Sequence, residues 1–287
     1  GENMGPISIV NLEQRTNAIK ELEKLKEFIQ TELFYQPLLY KPRENLTFLK
    51  FIKKHILELP FSKTANTFEQ YCEEIGVNLN PQSEKEATKS ILYVTNFIMN
   101  TITAILCDSR GPLPTIESIA SYVRSEIKYT VYHSRIERLL ELFNYKQELG
   151  HYDRENDFHE IIFTKRDADV DSVLPIVTPD TRIDLLSYLD FRLENNLIEK
   201  QTILKRLAAY LEPKRNEYES FNKGLTSSIF CLFNNINIRH NNSRQVTFES
   251  EAEQIEYYDI CFKMILHLIR EKEVSGYIEK VSTLQNK

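Results

Sequence analysis

Glycine is scarce in this chain: 7 among 287 residues, with no tryptophan and 3 methionines. So little turn punctuation argues against a β-sandwich or barrel and for helices joined by short links. No GxGxxG or GxxxxGK[ST] occurs, which sets aside the common α/β nucleotide-cofactor enzymes and leaves no cofactor implied. No apolar run reaches 18 residues; Ile91 to Cys107 comes closest and is broken by Thr and Asn, so it reads as a buried core helix, with no membrane partner. No secretory leader is expected, and Gly1-Glu2-Asn3 ahead of Met4 are set aside from fold reasoning. An excess of basic charge is lacking too: the formal net charge is −6, so phosphate binding needs a local patch. The 4 cysteines (Cys72, Cys107, Cys231, Cys261) form no CxxC and share no ligand spacing. They read as reduced, buried thiols of a cytoplasmic protein, and no metal site is expected.

What is present is helical periodicity. Leu12, Ile19, Leu22, Ile29 and Leu33 mark a helix over 11–33, and Leu49, Ile52 and Ile56 mark a second from Arg43 to before Pro60. A short helix and loop fill Phe68 to Pro81. Ser83 and Glu86 form a capping box for the apolar helix through Ile91, Val94, Ile98 and Ile105. After Asp108 to Pro114, Thr115 caps a helical tract to Leu149, in which 115–140 has the general look of a helix-turn-helix; most such pairs are packing units. Glu160–Thr164 and Ser172–Val177 are short extended runs around a charged loop. Beyond Pro179 four helical stripes follow, the third begun at Pro213 and ending near Ile236, the last begun at Glu251.

The expected fold is therefore all-α. An N-terminal multi-helix domain spans 1–150, a linker with at most a small β-hairpin spans 151–179, and an up-down helical bundle spans 180–287.

One segment is dense in groups that bind phosphate esters: Asn237-Ile238-Arg239-His240-Asn241-Asn242-Ser243-Arg244, between the last two helices. Arginine offers a permanent charge and a planar fork of donors. Histidine can accept a proton near neutral pH, and asparagine adds neutral donors. Arg239 and His240 are the candidate catalytic pair; Asn241, Asn242 and Arg244 are candidate phosphate ligands. Lys214 and Arg215 join them from the basic stretch that also holds Lys200, Lys205 and Arg206. The alternative for the loop is a helix end capped by Asn, with Arg239 paired to a carboxylate. Cysteine apart, His133, His151 and His267 lack partners at ligand spacing and read as structural or surface groups.

The tract Leu232 to Asn242, followed by the acidic-headed helix Glu251-Ala252-Glu253 through Tyr258 to Phe262, resembles the C-terminal end of HEPN domains. It is most similar to those closing bacterial abortive-infection and related phage-defence proteins. The resemblance covers roughly 180–277. It implies a helical bundle that dimerises and an Arg-and-His motif near its last helix junction. It also implies metal-independent ribonuclease chemistry, with RNA as substrate and an antitoxin or phage trigger as further partner. This sequence departs from the usual motif: Arg239 and His240 are adjacent, where four to six residues commonly separate the pair. Arg154 and His159 match that spacing but precede an extended run, and the match is read as coincidence.

Two function classes follow. One is an RNA-binding toxin or endoribonuclease with the N-terminal helices as sensor. The other is a non-catalytic dimeric regulatory or interaction protein, with DNA binding through 115–140 as one form of it.

Overall fold

The computed structural model describes residues 17–34, 45–55, 64–107, 129–153, 158–239 and 245–285. The α-helices occupy more than half of the chain, as the all-α reading expects, and among the described residues the strands make two sheets of two strands each. The chain divides into two compact units, Gly1–Phe163 and Thr164–Lys287.

In the first unit, α1 (Ala18–Ile29) is capped by Asn17, whose Oδ1 accepts from the Lys20 N–H at 2.9 Å, and it buries Leu22, Leu25 and Ile29. Residues 11–16, where the sequence places this helix's start, lie outside the described residues. Strands β1 (Glu32–Phe34) and β2 (Asn45–Thr47) pair antiparallel with Leu33 opposite Leu46. That small sheet corrects the helix expected from Arg43. Thr47 accepts from the Lys50 N–H at 3.2 Å, so the helical turn starts at Phe48 instead. Helices α2 (Phe48–His55) and α3 (Phe68–Glu74) follow, then α4 (Glu84–Cys107), against which α1 packs. Ser83 caps α4 by accepting from the Glu86 N–H at 3.3 Å, as the capping-box pattern predicts. The core centres on Phe97, whose ring lies 6.2 Å from Phe48, 5.3 Å from Phe68 and 4.4 Å from Tyr71.

Helix α5 (Tyr129–Leu142) ends at Asn144, which adopts φ 61, so the helix expected to run on to Leu149 stops short and a strand begins. Strands β3 (Tyr145–Asp153) and β4 (Phe158–Lys165) form a hairpin. Gly150 is required there: a Cβ on it would meet Ile162 Cγ2 at 2.8 Å and the Glu160 carbonyl at 3.3 Å. The first half of the helix-turn-helix look-alike falls in 108–128, outside the described residues.

In the second unit Ser172–Ile176 of the run expected to be extended is helical, and only Val177 has extended backbone. Asp167 caps α6 (Ala168–Val173) by accepting from Asp169 and Val170 N–H groups at 2.9 and 3.0 Å. A 3-10 turn at Leu174–Ile176 with Pro175 in its first turn completes it. The local cap overrides the β-branched residues, of which Val170 and Val173 are buried at helical spacing. Helices α7 (Pro179–Tyr188), α8 (Leu197–Leu211), α9 (Arg215–Asn235) and α10 (Glu251–Gln285) form the bundle. Its core holds Leu185, Leu204, Leu207, Tyr218, Ile229, Phe233, Tyr258, Phe262 and Ile265.

Helix α9 is not one continuous rod. Asn222 is non-helical (φ −143, ψ 78); its Oδ1 accepts from the Leu225 N–H at 2.9 Å, capping the longer second piece. Its Nδ2 donates to Glu271 of α10 at 2.7 Å, which ties the break to the neighbouring helix. No described helix is long and apolar enough to cross a membrane.

Candidate functional site

The candidate loop leaves α9 through Asn237, which adopts φ 62 and so ends the helix. The flanking Ile236 and Ile238 are buried, which anchors this exit in the bundle core. The Arg239 N–H then donates to the Phe233 carbonyl at 2.9 Å, folding the chain back over the helix end. On the return side, the Val246 N–H donates to the Asn235 carbonyl at 2.9 Å. The Gln245 amide reaches Asn237 Oδ1 at 3.1 Å, and Gln201 of α8 donates to the Asn237 carbonyl. Both ends of the segment are thus tied to the last turn of α9. His240, Asn241, Asn242 and Arg244 lie in 240–244, outside the described residues.

The Arg239 guanidinium forms an ion pair and hydrogen bond with Glu212, a residue of the 3-10 turn Glu212–Lys214 that links α8 to α9. The pair is fairly open, with side-chain exposures of 20% for Arg239 and 49% for Glu212, so solvent screens it. The carbonyl end of α9 also favours a cation at this position. Glu212 therefore holds the guanidinium beside a helix C-terminus, in the arrangement of a structural cap. A phosphate entering there would have to share or displace a carboxylate.

The neighbouring basic residues are also engaged. Lys214 Nζ lies 4.1 Å from the Tyr210 ring centroid, and Arg215 lies 4.7 Å from the Phe230 ring while its Nε donates to Glu219 at 2.8 Å. Arg206 donates to Asp184 at 2.6 Å. The stretch from Lys200 to Arg215 is not one solvated basic strip, because Lys200 is buried.

Lys200 is the residue that sequence reasoning misplaced. Its Nζ donates to Asp259 of α10 at 2.6 Å and lies 4.5 Å from the Tyr188 ring centroid. Tyr188 donates its hydroxyl to the same Asp259 at 2.8 Å and stacks on Phe262 at 4.0 Å. Burial, and then the Asp259 charge, push the Tyr188 hydroxyl far above its ordinary value, so it remains a neutral donor. The signal was available: Lys200 falls in register with Ile203, Leu204, Leu207 and Leu211 on the buried face of α8. Glu212, by contrast, carries no local pattern that marks it as a counter-ion across 27 residues.

The histidines described are modest. His133 lies 3.2 Å from Glu137 and His267 3.9 Å from Glu271, each one turn along its own helix. Among the described residues no three His, Cys, Asp or Glu side chains are grouped as a metal would need. Burial pushes the thiols of Cys72 and Cys261 up to about 12, which leaves them inert near neutral pH. Cys231 departs from the buried thiols expected: it is exposed on α9.

Compared with known proteins, the chain matches no family model, no curated protein and no solved structure.

Proposed function

We propose that the bundle is an RNA-binding module of the HEPN kind, acting in the cytoplasm as a metal-independent endoribonuclease in phage defence or as a toxin. The observation that carries the reading is the placement of Arg239. It stands at the carbonyl end of α9, with both flanks of 240–244 tied to that helix's last turn. The two described flanks hold Arg239 and Gln245 at the same helix end, where the carbonyl dipoles favour a cation.

In this reading His240 takes the proton of a ribose 2′-hydroxyl, and the 2′-oxygen attacks phosphorus. Arg239 stabilises the charge on the phosphorane, and the 5′-oxygen leaves and takes a proton from water, while His240 returns its own proton to solvent. The products are a 2′,3′-cyclic phosphate and a 5′-hydroxyl. Asn241, Asn242, Arg244, Lys214 and Arg215 are the phosphate ligands, and two copies of the loop meet in a homodimer. An antitoxin or a phage trigger would act on the N-terminal unit.

The Arg239–Glu212 pair favours a second reading, in which the loop is structural and the bundle only assembles a regulatory protein. That form includes DNA binding by the N-terminal helices. Expression of the wild type beside His240→Ala, scored for growth arrest and RNA integrity, separates the two. Arrest and RNA cleavage lost in the variant support the nuclease. Intact RNA with the wild type supports the second reading.

A further inference from the structure

The C-terminal part of α10 carries the densest exposed apolar face among the described residues. Val274, Tyr277, Ile278, Val281 and Leu284 are 46, 53, 61, 54 and 69% exposed. Their spacing at about 100° per residue puts all five within an arc of roughly 120° on one side of the helix. Upstream, α10 is fastened to its antiparallel neighbour. Glu271 accepts from Asn222, Lys272 reaches Glu217 at 2.7 Å in the first turn of α9, and Lys272 also lies 5.2 Å from the Tyr218 ring. At that point α9 begins, while α10 continues for another 13 residues to Gln285, about 20 Å at helical rise.

Nothing in the local sequence explains why those residues should stay helical alone. Gly276 sits mid-helix with open space around it, and Val274, Val281 and Thr283 are β-branched. The packed part of α10 supplies the nucleus, yet propagation through Val274, Ser275, Gly276, Val281, Ser282 and Thr283 is unfavourable in water. An overhanging helix of poor formers with a continuous apolar stripe is instead the pattern of a segment completed by a partner helix.

We infer that this overhang is a two-stranded parallel coiled-coil seam that pairs with the same segment of a second copy of the chain. Spacing of 3, 4 and 3 residues places Val274 and Val281 at a and Tyr277 and Leu284 at d, with Ile278 at the flanking e position. Within parallel coiled coils, β-branched residues at a with Leu at d favour two strands over more; Val274 and Val281 fit that pattern at a and Leu284 at d, with Tyr277 at the other d position. Charge decides the orientation. In the parallel arrangement Glu273 at g lies beside Ile278 of the second copy. The antiparallel arrangement that pairs all four a and d residues sets Lys280 against Lys280 of the second copy, a repulsion. The five side chains expose roughly 500 Å² per copy, so the seam would bury about 1,000 Å² in total, near the lower bound for a specific interface. The seam starts at Val274, about 35 Å at helical rise beyond the α10 start that follows the Arg239 segment, so it is a contact separate from the meeting of the two loops and stands or falls independently of RNA cleavage.

The test is the mass of the full chain in solution across about 1 to 100 µM, followed by two substitutions. The wild type should reach twice 33.8 kDa. Val281→Asp places two uncompensated charges in the seam and should weaken dimerisation by about a hundred-fold or more, with a small loss of helical signal confined to the overhang; Val274→Asp should do the same. In a Cys231→Ser background, Val281→Cys should oxidise to a cross-linked dimer, because a residues face each other only in the parallel arrangement. A wild type that stays monomeric, or a Val281→Asp dimer as tight as the wild type, overturns the seam. Cross-linking of a mixed Tyr277→Cys and Val281→Cys pair without cross-linking of Val281→Cys alone overturns its parallel orientation.

Discussion

Asn100 treats the peptide of Ile161 as a neighbouring strand would: its Oδ1 accepts from the Ile161 N–H at 2.7 Å and its Nδ2 donates to the Ile161 carbonyl at 2.9 Å. Asn96, one turn earlier on α4, adds a second donor to that carbonyl at 2.8 Å, and the two amides bond each other at 3.1 Å. A buried peptide group on a two-stranded sheet needs such partners, since an unmade hydrogen bond leaves its full desolvation penalty. The polar pair inside an otherwise apolar helix is therefore what fastens the hairpin to the first unit's core.

Asn100→Ala should therefore lower stability by about 2–3 kcal/mol, because the Ile161 N–H loses its partner while buried. Asn96→Ala should be milder, near 1 kcal/mol, since the Ile161 carbonyl keeps Asn100. Asn100→Asp should be the worst of the three, having no donor and adding a buried charge. Denaturant titration of the three variants checks the order; equal losses for Asn96→Ala and Asn100→Ala would contradict the clamp.

The Lys200–Asp259 pair makes an asymmetric prediction. Asp259→Ala leaves a buried ammonium without its carboxylate and Tyr188 without its acceptor. It should cost about 2–4 kcal/mol, less than a fully buried pair because Asp259 is itself 42% exposed. Lys200→Met keeps the stem's packing and removes the charge, so it should change stability by less than about 1.5 kcal/mol. Thermal melts of both proteins decide this. Equal damage from the two substitutions would mean that the Lys200 charge itself stabilises the bundle.

These two clusters show what the sequence could and could not convey. Stripes such as Leu22–Leu25–Ile29 and Ile203–Leu207–Leu211 are set by helical periodicity, so the all-α architecture was legible from spacing alone. Lys200 was legible in principle, because it shares the register of the α8 core. The start of β3, Tyr145–Leu149, was not: Tyr145 and Leu149 are spaced as on a helix, and only Asn144 in the left-handed region and the close approach at Gly150 redirect the chain. Ser172–Ile176 went the other way, the local preference of Val173 and Ile176 being outweighed by the Asp167 cap. At the candidate site Arg239 could be singled out by residue type, whereas its counter-ion Glu212 comes from a distant turn that only tertiary structure brings near.

Alkaline pH should destabilise the protein from about pH 9 upward. Burial raises the Cys72 and Cys261 thiols from 9.0, and the Tyr132 hydroxyl from 10.0, each to about 12. The unfolded chain releases those protons first, so above the unfolded value the folded state binds more protons and stability falls with rising pH. Below about pH 8 these groups are protonated in both states and contribute no slope. Melting temperature recorded from pH 7 to 11 should be flat and then decline, and Cys261→Ala should reduce the decline. The exposed Cys231 should meanwhile react quickly with a thiol reagent at neutral pH, a fast phase that Cys231→Ser reduces by one thiol per chain while Cys72 and Cys261 stay slow.

The ion pair at Arg239 allows the nuclease and the structural readings to be separated with purified protein. If Glu212 merely restrains a phosphate clamp, Glu212→Gln frees the guanidinium, and RNA affinity should rise about two- to five-fold, the worth of an exposed pair. If the pair is structural, the same change lowers the melting temperature and leaves RNA binding where it was. Arg239→Lys keeps the charge but loses the planar fork, so under the first reading turnover falls even though binding at low salt persists. His240→Ala removes the proton acceptor and should slow cleavage by roughly a hundred- to ten-thousand-fold with binding retained. Cleavage by the wild type should continue in chelator and leave a 2′,3′-cyclic phosphate. Undiminished cleavage by His240→Ala, or its loss in chelator, would rule this mechanism out; no cleavage by the wild type at all would leave Arg239 as the cap that Glu212 makes it.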